Sequence, residues 1–337
     1  MIVRTRNIVI LTFLTALFLS SCSSHNPDRQ VWFKMDTVVE ITLFANKNAK
    51  VTSEEIFEKI QIFLHDWDER FSPNSQTSEI LKINTRQTDT AYIGDDLYEM
   101  LKISLLYSQK TDGFFDISVK PLKDFWNISG EGDFLPDPED SGILDTLSQI
   151  LRAVGFQKIS LIDNPKRAVF ENSDTQIDLG AIAKGFAIEK LADTLKYYGF
   201  TNFIINVGGD IFVSGERNSG RPIVVGVRHP RRRSDLLHVF GIGGEGRFVA
   251  IFTSGDYERF RYAESGVRVH HIFNPKTGFS QTGNISLTVK GESAVVSDIL
   301  STAFFGFGAD EIRSRMKAFD GYGFILVDKD ENVIFGL

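Results

Sequence analysis

Residues 178–185 read Asp178-Leu-Gly-Ala-Ile-Ala-Lys-Gly185, and residues 206–210 read Asn206-Val-Gly-Gly-Asp210. The first stretch sets a carboxylate, a glycine turn and a lysine ahead of an apolar periodicity. That periodicity, with Ala187, Leu191 and Leu195 as its stripe, predicts a helix over Ile182 to Tyr198. The second stretch places two glycines between Phe203–Asn206 and Ile211–Ser214, short apolar runs that read as paired strands. Together they offer turn amides, a cation and two carboxylates, parts suited to a phosphorylated ligand with a cation. The plainer reading of Asp178 and Lys184 is a helix N-cap carboxylate followed by a solvent lysine.

Outward from this centre the pattern stays mixed. Val38–Phe44 reads as a strand. Thr52-Ser-Glu-Glu55 has the form of a capping box, and Ile56, Phe57, Ile60, Phe63, Leu64 and Trp67 predict an amphipathic helix over 53–68. A short helical piece is expected at Glu79–Ile83. A longer helix carries Leu97, Leu101 and Leu105 and stops near Lys110 at Thr111-Asp-Gly113. Residues 127–142 are rich in Gly, Asp and Pro and read as a surface loop or insertion. A helix is expected over Gly142–Val154, and a hairpin over 159–162 and 168–170 with an Asp163-Asn-Pro-Lys turn. Strands are expected at 223–227, 248–252 and 285–289, a helix at Ala294–Phe305, and a closing hairpin at 324–327 and 333–335. Strands and helices do not alternate as βαβ units, so the fold class is α+β, with mixed or antiparallel sheets and segregated helices.

The chain has 337 residues, a formal net charge of -7 and one cysteine. The length suits one large domain or two joined ones. The charge argues against a general nucleic-acid binder. The basic run His229-Pro-Arg-Arg-Arg-Ser-Asp235 reads as a solvated turn. Arg4 and Arg6 precede an apolar run from Ile8 to Leu19, too short to span a bilayer comfortably as a mature helix. Leu19-Ser-Ser-Cys22 then resembles a bacterial lipoprotein processing box. Residues 1–21 are therefore expected to be a signal peptide, 22–31 a lipidated N-terminus and tether, and 32–337 the catalytic domain. The alternatives are an uncleaved anchor or a secretion signal with a coincidental cysteine. With one cysteine, no disulfide forms within the chain.

Asp298 and Thr302 stand four residues apart in a segment otherwise dominated by Val295, Val296, Ile299, Leu300, Ala303, Phe304 and Phe305. On a helix both oxygens share a face, and a carboxylate there needs a partner or a metal. Hard oxygen donors suit Mg²⁺. The other reading is the polar edge of a surface helix. His270 and His271 are adjacent, so on a strand only one of them points into a given site. Asp116 follows the glycine turn at Gly113 and is a possible ligand-facing carboxylate. Thr253-Ser-Gly-Asp-Tyr257 is a polar turn after an apolar strand. Zinc motifs, a P-loop, a dinucleotide fingerprint and a GxSxG elbow are all absent.

The order of these fragments resembles the ApbE-type flavin transferases, the FAD:protein FMN transferase family, over roughly residues 32–336. The resemblance rests on Met35-Asp-Thr, Phe71-Ser-Pro, Thr111-Asp-Gly-Phe-Phe-Asp-Ile-Ser-Val-Lys-Pro121, the two stretches quoted first, Thr253–Tyr257, His270-His-Ile-Phe-Asn-Pro-Lys-Thr-Gly278 and Ser297–Thr302. It implies an ApbE-like fold, with room for two subdomains around a flavin-binding crevice. It also implies Mg²⁺-dependent transfer of FMN from FAD to a Ser or Thr hydroxyl of an exported acceptor, with release of AMP. Flavinylated subunits of ion-pumping redox complexes are such acceptors. FAD hydrolysis to FMN and AMP, or flavin binding without turnover, are the alternatives.

By matching motifs, Asp298, Thr302 and the Ala181 carbonyl look like the Mg²⁺ ligands, with Asp298 also catalytic. Met35, Phe71, Phe114, Phe115, Asp116, Asp178, Lys184 and His271 match FAD-contacting positions. His271 also matches the histidine proposed as a base. Cys22 would carry the lipid, holding the enzyme on the extracytoplasmic side, at the periplasmic face of the inner membrane. Three departures stand out. Asp36 replaces a usual glycine, Asn274 replaces a usual aspartate, and the 127–142 segment is inserted.

Overall fold

The computed structural model describes residues 26–72, 75–128, 135–232, 234–244 and 246–337. Cys22, the expected signal peptide and residues 129–134 of the expected loop lie outside the described residues. In chain order the strands and helices are β1 (Asp28–Lys34), β2 (Thr37–Leu43), α1 (Ser53–Phe71), α2 (Glu79–Asn84), β3 (Thr90–Tyr92), α3 (Asp95–Lys110), α4 (Lys120–Trp126) and α5 (Ile143–Ile150). There follow β4 (Ile159–Ile162), β5 (Arg167–Phe170), α6 (Ala183–Tyr197), β6 (Phe203–Val207), β7 (Asp210–Ser214), β8 (Ile223–Arg228), β9 (Leu236–Ile242) and β10 (Phe248–Gly255). The chain closes with β11 (Phe260–Tyr262), β12 (Arg268–His270), β13 (Asn284–Gly291), α7 (Ala294–Ala303), α8 (Ala309–Met316), β14 (Gly323–Asp328) and β15 (Val333–Gly336).

An eight-stranded sheet in the order β1-β2-β6-β7-β10-β13-β14-β15 organises the molecule. Every pairing in it is antiparallel. The expected α+β class holds, with helices segregated from the sheets.

One face of the sheet is covered by helices. Val39, Ile41 and Leu43 of β2 and Ile205 and Val207 of β6 pack with Ile56, Ile60 and Leu64 of α1 and Ile188, Leu191 and Leu195 of α6. These α1 positions are the periodic apolar ones of the sequence, and burying each side chain contributes about 1.5–3 kcal/mol. The Thr52 hydroxyl accepts from the Glu55 N–H at 3.2 Å and the Glu55 carboxylate accepts from the Thr52 N–H at 2.8 Å, so the expected capping box starts the helix. The opposite face is covered in part by the β8–β9 hairpin, through Ile223, Val225, Val227, Phe240 and Ile242 on Val213, Ile251 and Ile325.

Two expectations shift, and one strand was not expected. Strand β1 begins at Asp28, inside the stretch read as a tether, because Asp28–Lys34 pairs along its whole length with β2. The helix expected to Val154 ends at Ile150, where Leu151–Val154 tighten into successive three-residue turns. Strand β9 has no clean sequence signal, since His238 and Gly241 interrupt its alternation.

Candidate active site

Gly185 brings two of the motifs into contact. A Cβ at that position would lie 2.7 Å from the Ala294 carbonyl oxygen and 2.8 Å from the Val295 Cα. Only glycine lets the first turn of α6 meet the start of α7 backbone to backbone. The Gly185 N–H donates to Asp298 Oδ2 at 2.9 Å. Asp298 is 4% exposed, and among the described residues this amide is the single hydrogen-bond partner of its carboxylate. Burial raises the Asp298 carboxyl to about 7; Asp210 adds to the rise, while Lys184 and the Gly185 amide oppose it. Because Gly185 gives its N–H to Asp298, the Ala181 carbonyl four residues earlier receives no backbone hydrogen bond among the described residues.

Lys184 precedes Gly185 and pairs with Asp210 Oδ2. Burial pulls the lysine down, but Asp210 and then Asp298 outweigh it and the ammonium is held above its ordinary range. Asp210 is fixed in turn. It opens β7 directly after Gly208 and Gly209, whose φ values of 63° and 100° make the tight turn, and its Oδ1 accepts from the Thr253 N–H at 3.1 Å. The Ser254 hydroxyl lies 3.1 Å from Thr302 Oγ1 and 2.9 Å from Ser301 Oγ, tying the end of β10 to α7. Asp298, Thr302 and Lys184 thus come together through α6, α7 and β10, with Ala181 two residues ahead of α6. Asp210 and Ser254 join them as residues whose individual roles sequence reading missed; the signal was their place inside quoted motifs.

A second group gathers at α4. Asp178 accepts from Gly180 N–H at 3.0 Å and pairs with Lys123 Nζ at 2.5 Å. Burial pushes the Asp178 carboxyl up, yet Lys123 dominates and holds it below the usual carboxylate range. Lys123 was not foreseen, although it lies two residues past the motif that ends at Pro121. It also acts on His271, whose imidazole burial lowers to about 4. His271 Nδ1 lies 3.2 Å from the Arg259 carbonyl, so the proton sits on Nδ1 and Nε2 carries the free lone pair. His270 is locked: Nε2 donates to the Gln281 carbonyl at 2.7 Å and Nδ1 accepts from the Ile272 N–H at 3.3 Å.

Other expected positions have structural partners. Phe71 packs on Trp67, with ring centroids 4.5 Å apart, and is buried. Phe115 is a core residue. Asp116 was expected to face a ligand; instead Oδ1 accepts from the Ser118 N–H and hydroxyl at 2.8 and 2.6 Å, and Oδ2 accepts from the Phe156 N–H at 2.8 Å. Phe114 is half-buried, edge-on to Phe307 and 3.9 Å below Lys276 Nζ. Met35 and Asp36 form the β1–β2 turn with φ values of 56° and 55°. Glycine suits the second of these positions for its backbone, and the Asp36 side chain is exposed. Asn274 keeps a turn: its side chain accepts from the Lys276 N–H at 2.9 Å and its carbonyl from the Gly278 N–H at 2.8 Å.

The basic run departs from expectation. Arg231 reaches Asp256 Oδ2 at 2.6 Å, where Arg268 also binds at 3.1 Å, so one of the three arginines anchors the turn beside Tyr257.

No group of three or more His, Cys, Asp or Glu side chains positioned to hold a metal occurs among the described residues. The Ala181 carbonyl, freed of a backbone partner, the buried Asp298 carboxylate with its one amide donor and the Thr302 hydroxyl are all hard oxygens. That donor chemistry fits Mg²⁺.

The ApbE family model matches residues 35–326. The FAD:protein FMN transferase of Haemophilus influenzae is 27% identical over 310 residues, covering 90% of this chain and 87% of the relative. That of Treponema pallidum is 27% identical over 297 residues, covering 82% and 78%. The crystal structure of the ApbE protein from Thermotoga maritima superposes with a TM-score of 0.82 at 26% identity, covering 92% of this chain and 97% of that one. The flavin transferase ApbE from Vibrio cholerae shares the fold, with a TM-score of 0.77 at 21% identity and coverage of 92% and 97%.

Proposed function

Because the chain belongs to the ApbE family, we propose that it transfers the FMN part of FAD to a Ser or Thr hydroxyl of an exported acceptor protein and releases AMP. The observation that carries this reading is the Gly185–Asp298 contact, which joins two motifs 113 residues apart into one oxygen-lined, lysine-bearing centre. The names of the relatives supply the substrate; the geometry supports a phosphoryl-transfer centre.

In the proposed reaction the acceptor oxygen attacks the FMN-side phosphorus of the pyrophosphate. A new P–O bond forms, the bond to the bridging oxygen breaks, and AMP leaves with that oxygen. The acceptor proton goes to His271 Nε2, which is free because Nδ1 holds the Arg259 carbonyl. Lys184 stays charged at neutral pH and stabilises the phosphoryl oxygens as charge builds on them. Ala181, Asp298 and Thr302 would hold Mg²⁺, which when bound draws charge from the pyrophosphate. Asp178, with Lys123, would take a polar group of FAD. Of the remaining proposed flavin contacts, Met35 and Phe114 are half-buried, whereas Phe71, Phe115 and Asp116 are buried.

No helix among the described residues is long and apolar enough to cross a membrane. We propose attachment through a lipid on Cys22, outside the cytoplasm at the periplasmic face of the inner membrane. The test of function is incubation with FAD and Mg²⁺, with and without a candidate acceptor. An FMN adduct on Ser or Thr with matching AMP is expected. Free FMN without adduct would point to hydrolysis, and no product to flavin binding alone.

A further inference from the structure

The hairpin that opens the fold leaves apolar side chains in water. Phe33 is 75% exposed, Val38 50% and Val31 45%. Phe33 and Val38 are direct cross-strand partners, and Val31 stands two residues along β1 on the same face. Their neighbours Val39 and Ile41 point the other way, under the helices. The β8–β9 hairpin covers the Phe33 face of the sheet further along, over Val213 and Ile251. Strand β1 is also an edge strand, with one row of backbone groups free of sheet partners. An exposed, apolar edge of this kind invites association unless something covers it.

We propose that this face of the β1–β2 hairpin docks on a lipid bilayer surface. The proposal rests on the reading of Cys22 as the point of lipid attachment. Exposure alone does not choose β1, since Val333 and Phe335 on the far edge strand β15 are 36% and 44% exposed. Connectivity chooses it. Asp28 lies six positions after Cys22, and an extended chain covers at most about 3.5 Å per residue, so β1 starts within roughly 20 Å of the anchor. A tether this short holds the hairpin at high local concentration over the bilayer. Strand β15 lies seven strand spacings away, about 34 Å at ~4.8 Å each. An aromatic ring with two aliphatic neighbours, flanked on the same face by the Arg29–Glu40 ion pair, matches the mixed apolar and charged chemistry of the headgroup boundary.

Docking brings the Met35–Asp36 turn to the bilayer. With it comes the Gly208–Gly209 turn, which lies so close that a Cβ on Gly208 would sit 2.6 Å from Thr37 Oγ1. One rim of the candidate active site then faces the membrane surface, within reach of acceptors held there.

The experiment uses the full chain, isolated from membranes and reconstituted in vesicles of phosphatidylethanolamine and phosphatidylglycerol. Mass spectrometry first reads the state of Cys22. Because Cys22 is the sole cysteine and lipidation blocks its thiol, Phe33→Cys and Val333→Cys each accept one environment-sensitive fluorophore. The expected result is a lipidated Cys22, with the probe at position 33 shifted to shorter wavelength and quenched by brominated lipid, and the probe at 333 unchanged. A lipidated chain whose probe at 33 stays in water overturns the docking proposal alone. A free Cys22 thiol overturns both readings. A probe at 33 that becomes shielded only when a soluble acceptor protein is added would make this a protein-docking face and overturn the lipid assignment.

Discussion

Asp298 and Asp116 are both buried carboxylates, and they are held in opposite ways. Asp116 receives three hydrogen bonds from its own chain, two from Ser118 and one from Phe156. Burial still raises its pKa, but every donor it needs is built in. Asp298 receives one backbone amide, faces a second carboxylate across Lys184, and is raised to about 7. The first arrangement closes a loop onto the segment at Phe156. The second leaves a buried carboxylate with a single donor, the Gly185 amide, and a raised pKa, the marks of a candidate functional group. Sequence reading expects both at the ligand site, and their hydrogen bonding within the chain differs.

The largest expected effect is on catalysis. Asp298→Ala should abolish FAD turnover while leaving the domain folded, as checked by product chromatography beside circular dichroism; near-normal turnover would erase the distinction from Asp116. Asp116→Ala should do the reverse. It strands three donors, so stability should fall by about 2–4 kcal/mol in denaturant unfolding, while turnover per folded molecule changes little. Loss of activity without loss of stability would move Asp116 into the ligand site.

Acid should sharpen the contrast between neutral and charged groups. Burial holds both His270 and His271 below 6.5, the latter to about 4, so the folded chain resists protons that the unfolded chain accepts. Their stabilising contribution is full above pH 6.5 and is lost as pH falls towards 4. Asp298 acts with the opposite sign between about 7 and 3.8, because its folded pKa is raised. The histidine share is therefore read as a difference: the Tm of His271→Gln should decline less than that of wild type between pH 6.5 and 4. The smallest effect concerns a surface turn. Asp36→Gly should raise stability by about 1 kcal/mol, roughly 2 °C in Tm, by removing a left-handed non-glycine residue; an unchanged or lower Tm would mean that the side chain has a role of its own.

Much of this was legible in the residues. Apolar periodicity located α1, α3, α6 and α7, and the capping box at Thr52 was visible as written. The order of short motifs pointed to the family, and the family match now extends over residues 35–326. What sequence could not supply was partnership across the chain. Lys123 with Asp178, Lys184 with Asp210 and Arg231 with Asp256 are separated by 55, 26 and 25 residues, and no local spacing encodes them. The three-residue strands β11 and β12 are too short for a period to register, and in β9 His238 and Gly241 interrupt the alternation. The tether was overextended for a similar reason: Asp28–Lys34 is mostly exposed, so its pairing with β2 leaves a weak alternation in the sequence.

The most direct test of the account is a calorimetric titration of Mg²⁺ in the presence of FAD, run on wild type, Asp298→Ala and Asp116→Ala. The account predicts saturable binding to wild type and to the folded fraction of Asp116→Ala, and none to Asp298→Ala. Binding of equal affinity to wild type and Asp298→Ala would contradict it.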